Sequence, residues 1–456
     1  MSTLVTSSMS ENKKRSFAKA LVTELRSGEK HQTSTGSMQR AISLESLPPE
    51  VYDISKFPEQ QTISEMGTYF EKHNLINNYF CCHTDVSRDT VTVEGRVYIN
   101  FSGYNYLGIG GDVRVADAVK AAIDKYGTSA SASRIAAGNI DMHEILEREL
   151  AEFVGAQACV VSVGGYQTNV STIAHLCGRN DLILHDELVH NSIIAGCVLS
   201  GARRIPFPHN DYTALETLLK ENRLSYRRVL IVTEGVYSMD GDIPDIARVI
   251  RLKKAHKALL MVDEAHSLGV IGATGAGVTE YCQIAPGSID ILMGTLSKTF
   301  SSCGGFIAGR KELIDVLKYQ APGLVLYSAG LSPPNTAAAL AALRILRQEP
   351  QRVEKLRDNG RFFLNAARQA GLDTGMSHDS AVVPVILRDS DLALQLVHHL
   401  MSEDGICVHA MLYPSVPRDM VRLRFFLSST HTKEQLAYTV ERVAVHLRKG
   451  VQKRCA

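Results

Sequence analysis

Five short, almost wholly apolar runs cross the middle of the chain. They are Cys159-Val-Val-Ser-Val163, Asp181-Leu-Ile-Leu184, Val229-Leu-Ile-Val-Thr233, Leu259-Leu-Met-Val-Asp263 and Ile289-Asp-Ile-Leu-Met293. A strand with one wet face alternates apolar and polar residues; these do not, so they suit strands buried on both faces. Helical patterning fills the gaps, as at Tyr212–Glu221 and Ile246–Lys257. Strands alternating with helices predict an α/β fold, a mostly parallel sheet covered by helices. Ligands of such sheets bind beyond the carboxyl ends of the strands. The residues just after each run are therefore where chemistry is sought.

The chain has 456 residues, about three times a domain of ~150 residues. Residues 1–60 read as a polar tail and linker, punctuated by Pro48-Pro49 and Pro58, with one short amphipathic stretch at Ser16–Leu25. Residues 61–110 form an N-terminal segment: a helix from Ile63, then a strand pair Thr90–Val93 and Arg96–Phe101 about a Glu94-Gly95 turn. Residues 111–340 hold the strand–helix alternation and form the large domain. Residues 341–456 form a smaller α+β domain after the helix Ala337–Gln348. Its strands are Val382–Leu387 and Arg422–Leu427, with helices near Leu392–Met401 and Lys433–Leu447.

Charge excludes some partners. Lys plus Arg number 49 against 48 Asp plus Glu, a net charge of +1. So even a balance gives no global attraction to nucleic acid, and Lys13-Lys-Arg15 is too short to supply one. No window reaches the ~18 apolar residues of a membrane span. The polar start has no apolar core of a secretory leader. Nine cysteines without a C-x-x-C pair point to a reducing, cytoplasmic compartment. The 16 histidines show no metal-ligand spacing, so no metal is expected.

Several strand ends carry candidate chemistry. Gly164-Gly165-Tyr166 opens a helix whose free N–H groups could hold a phosphate, or simply make a tight turn. His190-Asn-Ser192 follows the second run, and a carboxylate-rich loop, Glu234 to Asp242, follows the third. Asp263-Glu-Ala-His266 places a carboxylate and an imidazole together; the plain alternative is a surface ion pair. Gly294-Thr295-Leu-Ser-Lys298 sets one lysine among small hydroxyl residues, where partial burial would turn a solvated charge into a reactive amine. Together these sites suit pyridoxal phosphate, whose usual anchors are a Schiff-base lysine and an acid beside the ring nitrogen. Val270-Ile-Gly-Ala-Thr-Gly-Ala-Gly277 imitates a dinucleotide loop, but it follows no strand directly and leads only to a short helix near Val278–Cys282.

At this point the chain resembles the α-oxoamine synthases, a pyridoxal phosphate family of fold type I. The resemblance runs from about Asn100 to Leu447, through Tyr104-Asn-Tyr-Leu-Gly108, Ser133-Arg134, Gly138-Asn139, His143 and His190-Asn-Ser192. It continues through Thr233-Glu-Gly-Val-Tyr-Ser-Met-Asp-Gly241, Val262–His266, Gly294–Lys298, Arg422-Leu-Arg424 and His431-Thr432. The resemblance implies roles. Lys298 would bind the cofactor aldehyde, Asp263 would pair with the ring nitrogen, and His190 would stack on the ring. His266 and Ser238 would lie near the phenolic oxygen; Gly165, Tyr166 and Thr295 would hold the phosphate. Ser328 would reach a neighbouring subunit's phosphate, which implies a homodimer with shared sites. Arg424 would bind the amino-acid carboxylate with help from Asn105, and Arg422 would be structural.

The implied reaction condenses glycine, alanine or serine with an acyl thioester, on coenzyme A or an acyl-carrier protein, with loss of CO2. An aminotransferase of the same fold would use the same Lys and Asp. A catalytically silent partner subunit would lack Lys298. Met411-Leu-Tyr-Pro414 stands where many members have Arg-Pro-Pro, which leaves the substrate pair open.

Overall fold

The computed structural model describes residues 44–455, with side chains to residue 448. The expectations for Lys13–Arg15 and Ser16–Leu25 lie outside the described residues. Within 44–60 the chain is not a featureless linker: three short 3-10 turns precede a helix, Pro58–Lys72. Pro58 starts that helix, at a position where its missing N–H costs nothing. The expected hairpin follows as β1 (Thr90–Val93) and β2 (Arg96–Asn100). Glu94 and Gly95 both have positive φ, 50° and 78°, the two-residue turn whose twist matches paired strands.

The central sheet has seven strands: β3 (Ala158–Ser162), β4 (Leu182–Asp186), β5 (Arg203–Phe207), β6 (Val229–Glu234), β7 (Leu259–Asp263), β8 (Ile291–Thr295) and β9 (Gly305–Gly309). Their order is β3-β9-β8-β7-β6-β4-β5, and only β9 runs against the rest. The five expected strands are present, with corrected ends. β4 runs on through His185 and Asp186, β6 takes in Glu234, and β8 starts at Ile291 and includes Gly294 and Thr295. Alternate residues face opposite layers: Leu184, Ile231 and Val262 join one core, and Ile183, Val232 and Met261 the other. That is the double coverage the unbroken apolar runs demanded.

Two strands escaped the sequence reading. β5, Arg-Arg-Ile-Pro-Phe, is polar and carries a proline because it is the sheet edge, where no partner needs its N–H. β9, Gly-Phe-Ile-Ala-Gly, looks like turn sequence. Its first glycine is there for space: a Cβ on Gly305 would fall 2.4 Å from Thr168 Oγ1 and 2.9 Å from Gly165 Cα.

The C-terminal part builds a smaller sheet from β10 (Val382–Ile386), β12 (His409–Met411) and β13 (Arg422–Phe426). A short β11 (Ile406–Cys407) instead pairs in parallel with β2, so the N-terminal hairpin is tied to this unit. The helix Pro333–Gln348 begins four residues before its expected start, capped by the Ser332 side chain, and the last helix extends to Cys455. The dinucleotide-like loop spends backbone N–H groups within the chain. Its Thr274 and Ala276 N–H groups both donate to Glu280, at 3.0 Å, and the helix beyond is only Val278–Tyr281. No helix among the described residues is long and apolar enough to cross a membrane. The eight cysteines whose side chains are described are all free thiols.

One buried charge cluster braces the loop after β6. His209 lies 2.9 Å from Asp186 Oδ1 and 3.0 Å from Asp242 Oδ2. Burial alone would depress its pKa, but the two carboxylates overcome that and raise it to about 10. A folded value above the unfolded 6.5 stabilises the protein fully below pH 6.5, and the gain fades as pH rises toward 10. His209→Gln should therefore cost about 3 kcal/mol near pH 6, with the gap from wild type closing as pH approaches 10. Urea midpoints measured across that range check it; a pH-independent gap would contradict the assignment.

Candidate active site

The carboxyl ends of β6, β7 and β8, two helix starts and β13 surround a cavity of about 320 Å³. Nine of the eleven residues singled out from sequence line it: Gly165, Tyr166, His190, Ser238, Asp263, His266, Thr295, Lys298 and Arg424. They come from six separate stretches of chain, five brought together by the central sheet and Arg424 added by β13.

One end is built for an anion. Gly164 caps the helix Gly165–Leu176, so the first N–H groups of the helix have no carbonyl of their own. A Cβ on Gly165 would sit 2.7 Å from Thr295 Oγ1, so any side chain there would close the cradle. Thr295 Oγ1 lies 2.8 Å from Ser297 Oγ, which sets two hydroxyls beside those N–H groups.

Lys298 stands on the turn between β8 and β9, its amine 5.6 Å from the centre of the Tyr104 ring. Loss of water pulls its pKa from 10.5 to about 8, although Asp263 and Glu234 oppose the shift. Asp263, the last residue of β7, accepts from Ala265 N (2.9 Å) and Asn169 Nδ2 (2.7 Å). His190 caps the helix Asn191–Ser200, its Nδ1 accepting from Ser192 N at 3.3 Å. Burial lowers the pKa of His190 despite nearby Asp263. His266 is held well below its ordinary value by burial, then by Lys298 and Arg424, and its Nδ1 lies 2.7 Å from the Tyr106 hydroxyl. His266 also stacks on Phe426, 5.7 Å between centres at 9°.

The two arginines of β13 lie on one face of the strand but do different things. Arg422 is buried and spends its guanidinium on Met239 O (2.9 Å) and Asp240 (2.5 Å), the structural part expected of it. Arg424 reaches Ser238 O (3.2 Å) and Met239 Sδ (3.1 Å), while its buried Nε has no partner. A buried, unpaired guanidinium N–H on a cavity wall calls for an anionic ligand.

Two of the residues singled out are not brought to the cavity. Asn105 turns away: its amide donates to Ser87 O (2.9 Å) and its carbonyl accepts from Gly110 N (3.1 Å). Its place in the Tyr104–Gly108 motif comes from holding that turn. Ser328 is half-buried, its hydroxyl on Ala329 O, in a segment bridged to Ser133. The sequence reading also missed residues that do line the site: Tyr104, Asn169, Ser192, Glu234 and Met239. Glu234 accepts from His190 N at 2.6 Å, and burial, with Asp263 beside it, pushes its carboxyl well above the usual range. It was legible only as one of several loop carboxylates. The histidines, too, form one group that spacing could not reveal. His399, Glu403 and His446 place ligand atoms within 4.8 Å of one another, from two helices. Each imidazole there is already matched to a carboxylate: His399 to Glu403 at 2.6 Å, His446 to Asp404 at 2.7 Å.

Comparison with known proteins agrees with this geometry. Residues 96–443 match the family described as aminotransferase class I and II. The 8-amino-7-oxononanoate synthase of Thermosipho melanesiensis is 40% identical over 352 residues, 77% of this chain and 89% of that one. The solved serine palmitoyltransferase of Sphingomonas wittichii superposes with a TM-score of 0.81 at 32% identity, covering 87% of this chain and 98% of that chain. A variant serine palmitoyltransferase solved with pyridoxal phosphate gives a TM-score of 0.80 at 29% identity, covering 87% and 99%. The chain belongs to the α-oxoamine synthase family. It is a pyridoxal phosphate enzyme of fold type I. The residues present fit that cofactor: a cradle that a Cβ would fill, an amine with a depressed pKa and a doubly hydrogen-bonded carboxylate.

The Lys298 amine must be neutral to bond the cofactor aldehyde. The rate at which cofactor-free protein captures pyridoxal phosphate should therefore rise with pH about a midpoint near 8 and then level. Stopped-flow absorbance across pH 6 to 10 reads this; a midpoint near 10.5, the value of a solvated lysine, would contradict the desolvated amine.

Proposed function

We propose that this chain condenses a small amino acid, glycine, alanine or serine, with an acyl thioester, releasing CO2 and the free thiol and yielding an aminoketone. The observation that carries the amino-acid half is Arg424, which lines the cavity that also contains Lys298 and whose buried Nε has no hydrogen-bond partner. When bound, pyridoxal phosphate supplies an aldehyde for the amino group and a ring that draws electrons from Cα. The chain does the rest. The helix start at Gly165 and Tyr166, with Thr295, would hold the phosphate. Asp263 would keep a proton on the ring nitrogen, and His190 would cover the ring face. Ser238 and His266, the latter held by Tyr106, would serve the phenolic oxygen. Arg424 fixes the substrate carboxylate and so orients the Cα–H bond. Lys298, with a pKa near neutrality, takes the Cα proton and returns one after the acyl transfer. The cavity walls would keep water away from Cα.

The protein works in this reading as a cytoplasmic homodimer, and the thiol is borne by coenzyme A or by an acyl-carrier protein. Support for the dimer lies around Ser328. The isolated bridge between Ser133 and Ala329 is flanked by Ile135 and Tyr327, which are 54% and 87% exposed and would be covered by a partner subunit there.

Three measurements test this. Thiol release and CO2 formation are read with each amino acid against a panel of acyl thioesters; amino transfer to a keto acid without thiol release would replace the proposal with an aminotransferase. Arg424→Gln should raise the amino-acid KM at least ~10-fold and leave cofactor binding unchanged. Co-expressed Lys298→Ala and Ser328→Arg subunits, each inactive alone, should recover about a quarter of wild-type activity, because half the dimers then hold one intact shared site. No recovery would remove the shared site.

A further inference from the structure

We propose that Asn169 is a positioning residue that locks Asp263 and His190 into one unit. The proposal rests on the reading that pyridoxal phosphate binds in this cavity. Asn169 lies in the second turn of the helix Gly165–Leu176 and is 1% exposed. Its side-chain amide has two hydrogens and uses both: Nδ2 donates to Asp263 Oδ2 at 2.7 Å and to Ser192 Oγ at 2.9 Å. The Ser192 hydroxyl, having accepted there, keeps its own hydrogen for His190 Nδ1, 2.7 Å away.

The direction of this chain is fixed by its ends. Turning the amide over would set its carbonyl oxygen against the Asp263 carboxylate, two acceptors facing each other. Nδ1 of His190 accepts from the Ser192 backbone as well, so the imidazole carries its hydrogen on Nε2. One residue thereby sets the orientation of the acid and the tautomer of the imidazole. Asp263 receives one donor on each oxygen, Ala265 N on Oδ1 and Asn169 on Oδ2, which fixes the plane of its carboxylate.

Asn169 also leaves something undone. Its carbonyl oxygen is buried without a partner. A side chain kept only to fill space would be leucine, of similar shape and with no polar atom to strand. An asparagine with both hydrogens bonded and its oxygen stranded is there for its donors.

The test uses the holoenzyme and four readouts: the cofactor dissociation constant, the pH midpoint of the bound cofactor's visible band, kcat, and the amino-acid KM. Asn169→Leu should weaken cofactor binding at least ~10-fold and lower kcat at least ~10-fold, with KM within ~3-fold because Arg424 is untouched. The visible midpoint should move up by about one unit, since a less firmly held Asp263 supports less positive charge on the ring. Ser192→Ala cuts only the His190 arm and should leave the midpoint in place. If Asn169→Leu does not fold, Asn169→Ala is read in the same way. Wild-type binding and midpoint in a folded Asn169 variant overturn the inference alone. A wild-type protein that takes no pyridoxal phosphate overturns the functional reading and this inference with it.

Discussion

Lys298 is held where water cannot fully solvate its charge, and desolvation there brings its pKa from 10.5 to about 8. A lysine in that state is both a nucleophile and a base near neutral pH. The position is costly to maintain. It needs a folded loop between the paired strands β8 and β9, glycine at 305 so that β9 can pass Thr168 and Gly165, and acidic neighbours to keep the amine from losing its charge altogether. The phosphate cradle, the lysine turn and the antiparallel strand are therefore one construction. Gly165 touches Thr295 of β8 on one side and Gly305 of β9 on the other.

The second constraint is the clamp between the two parts of the molecule. β13 presents Arg422 and Arg424 on one face to the loop that follows β6. Arg422 closes its contacts on Met239 and Asp240, which fixes where Arg424 stands. The loop is braced from the other side by His209 between Asp186 and Asp242. An arginine with a bond to spare can be aimed only if its neighbour has none.

Much of this was readable in the chain. The runs around Val160, Ile231 and Met261 are apolar on both faces because both faces are covered, so their strands could be named. Lys298, Asp263, His190 and His266 follow those strands directly, so their placement follows from the α/β architecture and their motifs. What could not be read is what depends on distant contact. Asn169 meets Asp263 across 94 positions, and nothing local marks it. β5 was hidden because an edge strand may be polar, and β9 because its glycines serve close packing rather than a turn. Asn105 shows the reverse: a motif residue whose side chain secures its own turn to Ser87 and Gly110.

The most direct test of the account is to reduce the cofactor-loaded protein with borohydride and map the modified peptide by mass spectrometry. The account predicts a pyridoxyl group on Lys298 and on no other lysine. A group on a different lysine, or a coloured holoenzyme from which reduction fixes nothing, would contradict it.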